Sequence, residues 1–142
     1  MSSQTPLPFP VPTPDNHGFW EACKRHELVI QTCSECHALR HPPRPICPQC
    51  HSGKLRWKPV TGMGTLYTYT ITHQAIHSAL QGRIPWTVII VELDEGVRMI
   101  SHLVDCPEEK LRVGLRVVVT FEDINEDISL PYFRPQASEL VE

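Results

Sequence analysis

The sequence has no long apolar run. No stretch approaches the roughly eighteen to twenty apolar residues a membrane-crossing helix needs, which excludes a helical span. A basic excess is missing too. Thirteen Lys and Arg stand against 16 Asp and Glu, a formal net charge of -3, and a general nucleic-acid binder would show the opposite balance. The N-terminus has neither a basic n-region nor an apolar h-region, so it does not read as a signal peptide. There is no Gly-x-Ser-x-Gly elbow for a hydrolytic serine and no glycine-rich phosphate loop. What remains is a chain of 142 residues, long enough for one ordinary domain or two small ones.

Proline and cysteine are what the chain does have. Five of its 14 prolines fall in the first fourteen residues. Proline fixes φ and cannot donate to a ladder, so residues 1–12 read as an extended arm. That arm is either a loosely held terminus or a strap that lays Leu7, Phe9 and Val11 on a partner. Four of the six cysteines form two Cys-x-x-Cys pairs, Cys33/Cys36 and Cys47/Cys50, with ten residues between them. Two such turns place four thiolates around one tetrahedral centre, a set that suits one structural Zn2+ and, as an alternative, iron. Four metal thiolates fit a reducing cytoplasm, and disulfides within Cys-x-x-Cys pairs would staple almost nothing. Cys23 and Cys106 read as ordinary buried or half-buried thiols.

The periodicity places these motifs. A short helix is expected from about Thr13-Pro14-Asp15 to His26, capped by Thr or Asp, with Phe19, Trp20 and Cys23 on one stripe. The two adjacent aromatics either pack on the metal module or dock on another subunit. Leu28–Thr32 enters the first cysteine turn as a strand, Arg40–Pro45 is a stiff connector, and Leu55–Val60 leaves the second turn as a strand. This is the plan of a rubredoxin-like zinc ribbon over residues 13–60.

After Gly62 and Gly64 the pattern changes. Thr65–Thr72, Trp86–Leu93, Val97–Val104, Leu115–Phe121 and Ile128–Pro135 read as strands rich in β-branched and aromatic residues. A bend or bulge is expected at the two glycines, a hairpin at Asp94-Glu95-Gly96, and a loop over His73–Pro85. Few strands and glycine corners favour a five-stranded OB-fold barrel over residues 61–135 rather than a sandwich. An acidic tail, 136–142, follows. The fold class is therefore mainly β: a helix and zinc ribbon, then a small barrel.

The ordered set of Phe19-Trp20-Glu21-Ala22, the two Cys-x-x-Cys turns, Pro42-Pro43-Arg44, Leu55-Arg56-Trp57, Gly62-Met63-Gly64-Thr65-Leu66, Val91–Val97, Gly114–Val117 and Leu130–Pro135 resembles the zinc-ribbon plus OB-fold proteins of the domain-of-unknown-function-35 family. The resemblance runs nearly the whole length of the chain. It implies an accessory subunit of a thiolase-fold acyl-CoA enzyme, one that holds the partner or helps bind an acyl-CoA or its pantetheine arm. The sequence departs from the family pattern where a glycine commonly follows the first cysteine pair: His37 stands there, and His51 follows the second pair. Histidine tolerates the positive φ such a turn favours better than most residues do.

Chemistry of the chain's own is harder to place. Tyr67, Tyr69, His73 and His77 surround the first barrel strand and the loop after it. His73 and His77 would share a face if that loop were helical; otherwise they are solvated loop residues. Arg83 next to Trp86 is a candidate for an anionic ligand, as are Arg40 and Arg44, because a guanidinium forks onto phosphate or carboxylate. Tyr69, His73, Arg83 and Trp86 are thus the candidate ligand-binding residues, and Phe19 and Trp20 the candidate partner-binding ones. No sequence neighbour activates Cys106, and Asp105 would raise its pKa. The expected function is a non-catalytic, zinc-binding accessory subunit. The alternatives are a single-stranded nucleic-acid module, disfavoured by the acidic barrel segment, and a stand-alone acyl-CoA binder with weak thioester chemistry.

Overall fold

The structure is a computed structural model and describes residues 8–141. Residues 8–13 have no regular secondary structure; Phe9 and Val11 are exposed, and Leu7 lies outside the described residues. Helix α1 spans His17–Lys24 and buries Phe19, Ala22 and Cys23. It starts later than expected, after a turn at residues 14–16. Asn16 occupies the cap position, and its side chain accepts from Thr13 N–H at 2.6 Å instead of from a helical N–H. The anticipated Thr or Asp cap is thus replaced by a turn that closes on itself. No helix among the described residues is long and apolar enough to cross a membrane.

The metal module is a three-stranded antiparallel sheet in the order β2-β1-β3, made of β1 (Val29–Cys33), β2 (Leu39–Arg40) and β3 (Leu55–Pro59). All five residues of β1 are buried, because it is the central strand and α1 also packs on it. That explains why the segment alternates so weakly: neither face meets water.

The barrel is closed in the order β4-β5-β6-β8-β7, from β4 (Met63–Thr72), β5 (Trp86–Leu93), β6 (Arg98–Leu103), β7 (Arg116–Asp123) and β8 (Ser129–Pro135). Its pairs are antiparallel except β6 with β8, which run parallel and meet at Leu103 and Phe133. This is the five-stranded OB arrangement. β4 begins two residues earlier than expected and includes Gly64, where a Cβ would sit 2.7 Å from the Glu92 carbonyl and from Val91. The bulge falls beyond the glycines, between Leu66 and Thr68. The loop after β4 holds one 3-10 turn, Ser78–Leu80.

A single core joins the two sheets. Phe19, Cys23, Leu28 and Ile30 from the helix and ribbon cluster with Leu66, Ile89, Val91, Leu93, Met99, Leu115, Val117 and Phe133 from the barrel. Each fully buried side chain of this size contributes about 1.5–3 kcal/mol. At the margin, His26 stacks on Phe121 with ring centroids 5.2 Å apart, and its Nε2 meets Asp123 Oδ1 at 2.8 Å. The ribbon and barrel therefore share their packing although their sequence patterns look separate.

Candidate functional site

The four cysteine sulfurs come together as their spacing requires. Each pair sits on a tight turn. Cys33 N–H donates to Ala38 O at 2.9 Å, and His37 N–H donates to Cys33 O at 3.0 Å. The second turn repeats the pattern, with Cys47 N–H on Ser52 O and His51 N–H on Cys47 O, both at 2.9 Å. His37 and His51 have φ of 64° and 63°, the left-handed conformation that a glycine would take more cheaply. Ser34 N–H donates to Lys54 O at 3.0 Å and ties the first turn to the segment leaving the second.

All four Sγ atoms lie within 4.8 Å of one another; Cys33 to Cys50 is 3.5 Å and Cys36 to Cys47 is 3.6 Å. Zn–S bonds of about 2.3 Å in a tetrahedron require sulfurs about 3.8 Å apart, so the residues fit the ion. The electrostatics agree. Backbone N–H donation from Cys36 pulls the Cys33 thiol down to about 6, and N–H groups of Cys50 and Gln49 lower Cys47. Cys50 goes the other way. Although the Ser52 N–H favours its thiolate, the contact with Cys33 and burial push it up to about 12. Four adjacent sulfurs cannot all ionise unless a cation sits among them.

Among the cavities away from the sulfurs, two share a wall. One, about 470 Å3, opens at the end of the barrel and is lined by Ile71, His73, Arg83, Trp86, His102, Cys106 and Tyr132, among others. The other, about 510 Å3, is a mainly apolar groove between α1, the Pro42-Pro43 connector and the outer face of β6 and β8. Phe19 and Trp20 line it, packed edge to face at 5.0 Å. Phe19 is buried while Trp20 is half-buried, so the stripe faces both the core and the groove.

Arg83, Trp86, His102 and Tyr132 line both cavities and form the wall between them. Arg83 grips Glu122 with two parallel bonds, Nη1–Oε1 at 3.0 Å and Nη2–Oε2 at 2.7 Å. The guanidinium holds the Glu122 carboxyl below the usual range. The Trp86 and His102 rings are 4.5 Å apart, and His102 and Tyr132 5.4 Å. Burial, then the charge of Arg83, lowers His102, while burial raises the Tyr132 phenol. The wall thus presents a neutral imidazole, a protonated phenol and one internally neutralised ion pair. Trp86 Nε1 is buried with no hydrogen-bond partner among the described residues.

The structure thus gathers Arg83, Trp86 and His73 around one cavity. Tyr69 lies elsewhere, on an exposed stretch of β4 and outside both linings. His77 does not pair with His73 on a helix: its Nδ1 accepts from Ala79 N–H at 3.0 Å and caps the 3-10 turn. Arg40 is buried and donates to Arg44 O, while Arg44 N–H donates to Gln31 Oε1, so both hold the connector. The Cys106 thiol is raised by burial and by Glu109 rather than by Asp105. His102 and Glu122 escaped the sequence reading because nothing local marks them: His102 meets Trp86 through the pairing of β5 with β6, and Glu122 meets Arg83, in the turn before β5, only once the barrel is closed.

Known proteins carry the same two units in the same order. A family profile described as the rubredoxin-like zinc ribbon domain of ChsH2 matches residues 20–56, and one described as the C-terminal OB-fold domain of ChsH2 matches residues 57–122. The chain belongs to the ChsH2/DUF35 family. A DUF35 domain-containing scaffold protein of Methanocaldococcus jannaschii is 33% identical over 76% of this chain and 77% of its own length. A probable enoyl-CoA hydratase alpha subunit of Thermomonospora curvata is 39% identical over 90% of this chain but only 40% of its own. This ChsH2/DUF35 chain therefore spans about two fifths of that relative. Among solved structures, a chain of an Ltp2-ChsH2(DUF35) aldolase superposes with a TM-score of 0.82 at 38% identity, covering 89% of this chain and 98% of that one.

Proposed function

We propose that this ChsH2/DUF35 chain is a non-catalytic accessory subunit that docks on a thiolase-like acyl-CoA enzyme and helps form its acyl-CoA site. The observation that carries this reading is the likeness to the ChsH2(DUF35) chain of the Ltp2-ChsH2 aldolase, which extends over nearly all of that chain. The geometry supports it. An apolar groove edged by Phe19 and Trp20 suits a docked partner or an acyl chain. The adjoining cavity offers Arg83, Trp86 and His73 to the more polar pantetheine arm.

In this reading Cys33, Cys36, Cys47 and Cys50 hold one zinc ion. With four thiolates as ligands the site has no open position for water, so the ion is structural. It fixes the two turns and through them β1, against which α1 packs. Thiolate ligands of this kind belong in a reducing compartment, the cytoplasm.

The test is a pull-down of the tagged chain, co-expressed in its native host, with mass spectrometry and a metal assay. The expected result is a stoichiometric thiolase-fold enzyme and about one zinc per chain. Recovery of the chain alone, zinc-loaded, would overturn the accessory role and leave a stand-alone acyl-CoA binder as the reading to pursue.

A further inference from the structure

β4 leaves the barrel with one open edge. It pairs with β7 only over Met63, Gly64 and Thr65, and a last pair of backbone bonds joins Leu66 to the segment before β7. On the other side its pairing with β5 continues to Thr72. Beyond Leu66, no backbone hydrogen bond connects β4 to any other segment among the described residues. Tyr67, Thr68, Tyr69 and Thr70 are all exposed, the two tyrosines at 46% and 37%.

Of the usual safeguards this edge has a bulge, between Leu66 and Thr68 at its beginning, and lacks those built from side chains. Exposed edge strands are commonly blunted by lysine, proline or other charges, because their free N–H and C=O groups template pairing with another chain. β4 contains no charged residue and no proline, and its exposed stretch alternates tyrosine and threonine, both strong strand formers.

The stretch also complements itself. Set antiparallel to a copy about a two-fold axis through Tyr69, it opposes Tyr69 with Tyr69 and Thr68 with Thr70. Aromatic and threonine cross-strand pairs of this kind are favourable, and no like charges meet. An isologous interface requires this self-matching.

We propose that the free edge of β4 pairs with β4 of a second copy of this chain, joining two barrels through one continuous sheet. The proposal is independent of the enzyme partner described above.

Light scattering after size exclusion, over a wide concentration range, reads it out on the full zinc-loaded chain. The wild type should reach twice the 16.2 kDa chain mass at high concentration. Tyr69→Lys should remain at the single-chain mass with unchanged zinc content and melting temperature, and so should Tyr69→Glu. Because Tyr69 faces itself across the axis, mixing the Lys and Glu variants should restore the double mass. A wild type that stays monomeric throughout would overturn the proposal, as would a dimer indifferent to Tyr69→Lys or a mixture that fails to re-form it. Loss of a bound enzyme on Tyr69→Lys, without change in the chain's own mass, would also overturn it and assign the edge to that enzyme.

Discussion

Gly18 shows how one residue can reverse a general rule. In most helix interiors, replacing glycine with alanine stabilises by roughly 0.5–1 kcal/mol, because glycine loses more chain entropy. Here a Cβ on Gly18 would lie 2.2 Å from Trp57 Nε1 and 2.5 Å from Cε2 of the same ring. Either the indole or the helix must shift, and overpacking of this kind costs about 1–3 kcal/mol. Gly18→Ala is therefore expected to lower the stability of the zinc-loaded chain by about 1–2 kcal/mol in denaturant titration; a gain would show that α1 does not sit on Trp57. Nothing in the Asn16-His17-Gly18 stretch announces this approach, because Trp57 is far away in sequence. His37 is the opposite case: its turn position suggested a positive φ, and the backbone has it at 64°. His37→Gly removes a conformation that costs an L-residue roughly 1–2 kcal/mol but loosens the unfolded chain by about 0.5–1 kcal/mol. The net expectation is a gain of up to about 1 kcal/mol, seen as a higher midpoint with zinc stoichiometry unchanged.

Among the elements, the barrel strands were the most legible. Trp86–Leu93 is bounded in the structure as its composition indicated, because β5 carries a dense apolar run and ends just before the turn that begins at Asp94. The cavity wall was illegible, since Trp86, His102, Glu122 and Tyr132 come from four different strands and meet only through register. That wall has a pH consequence. His102 is held below the usual imidazole value of about 6.5, first by burial and then by Arg83. As pH falls below about 6.5, the unfolded chain takes up a proton that the folded chain refuses, so the stability present above that pH declines through the window down to the lower folded value. His41, lowered by burial, acts in the same direction. His102→Gln should flatten part of the decline in melting temperature between neutral and mildly acidic pH while leaving bound zinc unchanged. An unaltered slope would show that the imidazole titrates freely. Glu122→Gln breaks the Arg83 fork and lets the guanidinium turn toward the cavity, so the anionic coenzyme A should bind the variant at least as well as the wild type. Tryptophan fluorescence titration with coenzyme A checks this, and clearly weaker binding would show that the intact fork, rather than a released Arg83, forms the site.

For the whole molecule the decisive relation is between the metal and the shared core. Two sequence patterns suggested two modules, and a ribbon of this size has little core of its own. One apolar cluster nevertheless joins them, running from Phe19, Cys23, Leu28 and Ile30 into Leu66, Val91, Leu115 and Phe133. A structural zinc site contributes roughly 10–16 kcal/mol in small domains, whereas a folded domain retains only about 5–15 kcal/mol in total. Removing the ion therefore cancels most or all of the net stability of any unit that folds together with the ribbon. If the barrel were independent, chelation would melt the ribbon alone and leave a second thermal transition near its original temperature. The continuous core predicts otherwise. The holo chain should melt in one transition, and chelation or Cys36→Ser should lower that transition as a whole, with barrel signals from Trp86 and Tyr132 lost together with the helix signal. Calorimetry beside near- and far-ultraviolet circular dichroism distinguishes the two cases. A barrel transition that survives zinc removal unchanged would mean that the side chains joining the ribbon and barrel carry little of the folding free energy.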